Sequence, residues 1–169
     1  MSALARKLLL VIGVGNPYRR DDAAGLMTAR ALGKLPCDSI RVIEHGGEGA
    51  DLLQTWECAE RVIIVDAVQS GAEPGTIYRW DAASRPLPSE GFSGSTHHFG
   101  LVNAVELARV LRRLPAQLTV YGIEGRDFGA GTSLSPEVQR AVSQVAQQLL
   151  KDLDGPGSCA AEDDHVDAR

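Results

Sequence analysis

The sequence predicts an α/β fold on a largely parallel five-stranded sheet. Apolar runs of strand length alternate along it with segments of helical period, and its 169 residues suit one domain with a real core. The strands are expected at Lys7–Ile12, Ser39–Ile43, Arg61–Val65, Gly75–Trp80 and Leu118–Ile123. Between the first two, the helix formers Ala23 to Leu32 follow Asp21 and Asp22 as N-cap candidates and stop at Gly33, which predicts a helix over about Asp22–Leu32. Ala50–Cys58 reads as a second, short helix. Gly100–Arg113 is a third, with Leu101, Val105, Ala108 and Leu111 near helical spacing. The fourth opens at Ser135-Pro136-Glu137, where Ser suits the cap and Pro the first turn, and runs to about Lys151. Four helices around five strands make an open α/β sandwich. A loop over Asp81–Thr96, with two prolines and two glycines, interrupts it.

Charge is unevenly placed. Asp154 to Arg169 carry five acids against one base, leaving the body up to Leu153 near neutral out of a net −5. Residues 1–153 are expected to form one domain, and 154–169 a disordered acidic tail. The near-neutral body lacks the basic footprint of a nucleic-acid binder. The apolar run Leu8–Ile12 ends at Gly13 and is too short for a membrane span or a signal-peptide core. Cys37, Cys58 and Cys159 are odd in number and widely spaced, without a Cys-x-x-Cys pair, which fits free thiols in a reducing cytoplasm.

Three features carry candidate chemistry. Gly13-Val14-Gly15-Asn16-Pro17-Tyr18-Arg19-Arg20-Asp21-Asp22 joins the first strand to the first helix. A dinucleotide fingerprint would need glycine at Tyr18, and Pro17 stiffens the turn, so a pyrophosphate cradle is not predicted. The two acids are open to a capping reading and a functional one. Asp66 ends the run Val62–Val65, placing a carboxylate at the carboxyl end of a central strand, where open α/β sheets keep their ligand crevices. His97-His98 precede the third helix, after a glycine-bearing loop able to carry them to the same rim. Two carboxylates and an imidazole would offer a divalent metal three ligands with positions left open. The sequence has no Gly-x-Ser-x-Gly elbow, no lysine phosphate loop and no cysteine beside a histidine motif, so a hydrolase built from it would use metal or carboxylates.

Taken in order, Gly13-Val14-Gly15-Asn16 with Asp21-Asp22 and Gly25, Gly46-Gly47 before Asp51-Leu52-Leu53, Val65-Asp66-Ala67, Pro74-Gly75-Thr76 and Ser95-Thr96-His97-His98-Phe99-Gly100-Leu101 resemble the hydrogenase maturation proteases. The resemblance spans roughly Leu8 to Leu150. It implies a twisted five-stranded sheet with helices on both faces, a three-layer α/β/α arrangement. It also implies an endopeptidase that removes the C-terminal extension of a nickel-iron hydrogenase large-subunit precursor after nickel insertion. By the resemblance the nickel-contacting residues are Asp22, Asp66 and His97, and Asp22 and Asp66 are the carboxylates available for catalysis. Asp22 stands where glutamate is common and reaches one methylene less far. Asn16, His45 and His98 are candidate substrate-recognition residues. His45 stands where relatives often carry Asp, and three readings are open for it: a fourth metal-facing group, a substrate contact or a structural histidine. The nickel is expected to arrive with the substrate, held there by soft thiolates, so that the isolated protein is metal-free. The remaining expectations are a cytoplasmic monomer with the large-subunit precursor as partner and neither nucleic acid nor membrane. Two other readings stay open: a metal-dependent hydrolase of another substrate, and a non-catalytic module binding nickel or a nucleotide.

Overall fold

The computed structural model describes residues 8–35, 39–92 and 100–153. His97, His98 and the acidic tail therefore lie outside the described residues. Five strands, β1 (Leu9–Val14), β2 (Ile40–His45), β3 (Arg61–Val68), β4 (Ile77–Asp81) and β5 (Gln117–Glu124), form one sheet in the order β2-β1-β3-β5-β4. The first four in that order are parallel and β4 runs antiparallel along β5. Helices α1 (Ala24–Gly33) and α4 (Pro136–Leu153) cover one face, and α2 (Gly49–Trp56) and α3 (Leu101–Val110) cover the other.

The alternation of strand side chains builds both cores at once. Leu10, Ile12 and Val14 of β1 and Val62 and Ile64 of β3 face the α2/α3 layer with Leu52, Trp56, Leu101 and Val105. Leu9 and Val11 of β1 and Val65 and Ala67 of β3 face the α1/α4 layer with Leu32, Val138, Val142 and Leu149. With helices on both faces, β1 is buried along its whole length, which is why it reads as a continuous apolar run.

Most element ends shift by one to three residues from the sequence expectation, and two of these shifts bear on the site. A 3₁₀ turn over Arg20–Ala23 precedes α1, so the helix begins at Ala24, and neither Asp21 nor Asp22 caps it. Strand β3 does not stop at Val65. Its ladder with β5 continues through Asp66↔Gly122 to Val68↔Glu124, whereas its ladder with β1 ends at Gly13↔Val65. Asp66 thus sits inside a strand, at the level where the neighbour on one side departs.

Candidate active site

The chain leaves β1 for α1 on one face, while β2 feeds α2 on the other, so the sheet changes its winding between β1 and β3. Doubly wound sheets open a crevice beyond the carboxyl ends of the strands at such a point. Glycines let the segment after β1 lie directly on the strands. A Cβ on Gly25 would run into the carbonyl oxygens of Val65 and Val14, and one on Gly15, whose φ is +149°, into the carbonyl of Asp22. These glycines therefore serve close packing of the turn against the sheet rather than a phosphate cradle.

Within that turn the two adjacent acids have separate partners. Asp21 accepts the backbone N–H groups of Arg126, Asp127 and Ser135 and the Ser135 hydroxyl, at 2.7 to 2.9 Å. Burial pushes its carboxyl up, but the hydrogen bonds from Ser135, Asp127 and Arg126 outweigh that and hold it below the ordinary range. Asp21 is an anchor for the loop between β5 and α4. Asp22 accepts the backbone N–H of Asn16 through Oδ2 at 3.1 Å, and burial raises its carboxyl against the pull of Arg19 and of that amide.

Asp66 projects from β3 to the α2/α3 side. Its Oδ1 accepts the Ala67 N–H at 2.8 Å. Burial, and then the negative charge of Asp22, push its carboxyl up to about 8, with the Ala67 amide opposing. Asp22 and Asp66 line one crevice with Val14, Gly15, Gly46, Gly47, Phe92 and Leu101, leaving about 20 Å³, room for an occupant the size of one water. Two carboxylates that repel each other in a poorly hydrated cleft suit a divalent cation, which discharges both, and equally a shared proton. Among the described residues no cluster of three or more His, Cys, Asp and Glu converges on a point. Phe92 and Leu101, on either side of the stretch that contains His97 and His98, both line the crevice.

The remaining candidates fall around this pair. Asn16 is exposed, its side-chain oxygen accepts the Tyr18 N–H at 2.9 Å, and its own amide serves Asp22, so it shapes the turn. His45 is not among the crevice's lining residues although Gly46 and Gly47 are. Its Nδ1 accepts the Gly47 N–H at 2.9 Å. The apolar walls Phe92 and Leu101 carry no chemical signal in the sequence; Leu101 is legible there as a helix position and as the end of the motif that carries the resemblance, not as a crevice wall. Glu124 is a further buried acid beside these candidates. Only 1% exposed at the end of β5, it accepts the N–H groups of Ser70 and Gly71 and the Ser70 hydroxyl, fixing the turn after β3. An acid ending an apolar run, the signal that singled out Asp66, marks it as well.

An open α/β sheet with two opposed carboxylates in a glycine-walled crevice at its switch point belongs to the class of α/β proteins that present hard oxygen groups to a ligand or substrate at the strand ends. Its relatives narrow this. The profile of the hydrogenase maturation proteases matches residues 27–152. The hydrogenase 2 maturation protease of Escherichia coli is 28% identical over 149 residues, covering 86% of this chain and 90% of its own. Among solved structures, the hydrogenase maturating endopeptidase HybD from E. coli superposes with a TM-score of 0.73 at 26% identity, covering 89% of this chain and 94% of its own. The NiFe hydrogenase maturation protease HybD from Thermococcus kodakarensis does so with 0.69 at 28% identity, covering 85% and 97%. The chain belongs to the hydrogenase maturation protease family and is an endopeptidase.

Proposed function

We propose that this endopeptidase removes the C-terminal extension of a nickel-iron hydrogenase large-subunit precursor, acting as a cytoplasmic monomer once nickel is in place. Asp22 and Asp66 meet the substrate's nickel, with His97 as the third group. The observation that carries this reading is the crevice itself. Asp22 comes from the turn before α1 and Asp66 from strand β3, yet they line one small cleft, and the charge of Asp22 raises the carboxyl of Asp66. A cation entering with the substrate relieves that repulsion, so a nickel-loaded precursor is favoured over an empty one. Soft thiolates hold the nickel in the precursor, and the protease completes the shell with harder oxygen and nitrogen groups. Phe92 and Leu101 at the crevice support His97, which lies between them in sequence, as the third group.

Hydrolysis adds water across the scissile amide, with a proton leaving the water and another reaching the departing nitrogen. Asp22 and Asp66 are the crevice carboxylates available for those transfers. Holding the precursor through its metal turns the peptide attack into a step between groups already in register. Supporting the substrate assignment, the E. coli relative is named for hydrogenase 2 maturation and the structural neighbours for maturation of hydrogenases. Among the described residues no helix is long and apolar enough to cross a membrane.

The test is incubation of the protein with a large-subunit precursor in nickel-loaded and nickel-free forms, read by electrophoretic mobility and mass spectrometry. The expected result is one C-terminal cut in the loaded form alone. Cleavage of both forms at equal rates would remove the nickel gate, and cleavage of neither would return the protein to the role of a binding module.

A further inference from the structure

Two consecutive glycines, Gly46 and Gly47, line the crevice together with the carboxylates, and by themselves they have no fixed conformation. Strand β2 ends at His45, whose carbonyl still accepts the N–H of Gly15, the residue just past β1, at 3.1 Å. The chain then turns, with Gly47 at φ +91° and so close to Val14 that a Cβ there would lie 3.1 Å from Cγ1. Gly47 is buried, and its N–H is donated to His45 Nδ1 at 2.9 Å. A ring nitrogen that accepts carries no proton, so the neutral imidazole bears its hydrogen on Nε2. The His45 side chain is 8% exposed, and Nε2 has no hydrogen-bond partner among the described residues. The Asp51 carboxylate of α2 lies 3.9 Å away, beyond hydrogen-bonding distance. The bond that the imidazole makes is therefore to the glycine turn. The geometry points to His45 as a positioning residue of the protease, whose Nδ1 locks the Gly46–Gly47 wall in the shape that admits the substrate's metal-bearing end, rather than as a group that touches substrate.

This rests on the proposed reaction for its activity arm and stands independently for its structural arm. Asparagine places an acceptor oxygen where His45 has Nδ1 and has no atom at the Nε2 position. Glutamine places its terminal atoms near Nε2 and offers none at Nδ1. In His45→Asn, hydrogen exchange of the Gly47 amide, read by NMR, should stay within about threefold of the wild type, whereas in His45→Gln it should quicken at least tenfold while the global melting curve holds. On the nickel-loaded precursor, His45→Asn should keep kcat/KM within about threefold. His45→Gln should lose at least tenfold, chiefly in KM, because the wall rather than the reacting groups is disturbed. Asp51→Asn should change neither readout by more than about threefold. If His45→Gln keeps the Gly47 protection, the turn assignment is overturned whatever the enzyme does. If His45→Asn keeps the protection but loses processing while His45→Gln retains it, Nε2 meets the substrate and the positioning role is wrong. If the wild type leaves the precursor uncut, the reaction assignment fails, and the exchange data alone decide whether Nδ1 holds the turn.

Discussion

Asp21 and Asp22 are neighbours in the chain and opposites in role. The four hydrogen bonds to Asp21 come from residues more than a hundred positions away, so removing its carboxylate leaves part-buried donors without their partner. Asp21→Ala should cost about 3 kcal/mol, seen as a lower urea midpoint, because each of the four donors loses a charge-assisted hydrogen bond of about 1–3 kcal/mol, part of it recovered by water at these part-buried positions. Asp22→Asn, by contrast, should unfold near the wild-type midpoint and lose processing at least about a hundredfold. Asp66 makes a prediction of opposite sign. Its carboxyl is raised from 3.8 to about 8, so from pH 4 to 8 the folded chain holds a proton that the unfolded chain releases. Stability is unaffected by this group below pH 4 and falls as pH rises through that window. Asp66→Asn carries no charge to desolvate. Its melting temperature should exceed the wild type's by several degrees more at pH 8 than at pH 5 in the absence of precursor, because the one-proton difference between folded and unfolded chains spans that interval. Equal differences at the two values would show that Asp66 is not strained by burial and by Asp22.

Element boundaries were legible to within a few residues wherever local chemistry sets them, and misread where a distant partner does. The apolar runs of β1 and β5 and the Ser135-Pro136 start of α4 are local signals. Strand β3 looked shorter than it is because Asp66 breaks its apolar run, although Ala67 and Val68 continue pairing with β5. A carboxylate inside a buried strand violates the local rule, and such violations gather at functional sites. The two acids before α1 resembled caps because the β5–α4 loop that binds Asp21 is invisible from the local sequence. Helix α1 offers a paired test of how the site is assembled. Gly25→Ala would drive a methyl into the carbonyls of Val65 and Val14 and should cost about 3 kcal/mol in a melting or denaturant series. Gly33→Ala, at the far end of the same helix, meets only Val42 at 4.0 Å and should fall within about 0.5 kcal/mol of the wild type or above it.

Across the whole molecule, the α/β class and the number of strands were readable from alternation, but the order β2-β1-β3-β5-β4 was not. That order alone brings the turn after β1 and the end of β3 to one cleft, and so gives Asp22 and Asp66 a common site. His45 shows the complementary limit. Its sequence position beside Gly46-Gly47 left a metal-facing, a substrate-contacting and a structural reading open, and only the folded strand shows the ring turned toward its own turn and toward Asp51. The carboxylate pair is the centre of the functional reading, and the most direct measurement is the processing rate of a nickel-loaded large-subunit precursor by wild type and Asp66→Asn, each verified as folded. A single C-terminal cut by the wild type with at least about a hundredfold loss in Asp66→Asn is the expected result. Processing by Asp66→Asn at the wild-type rate would contradict it and move the site away from this crevice.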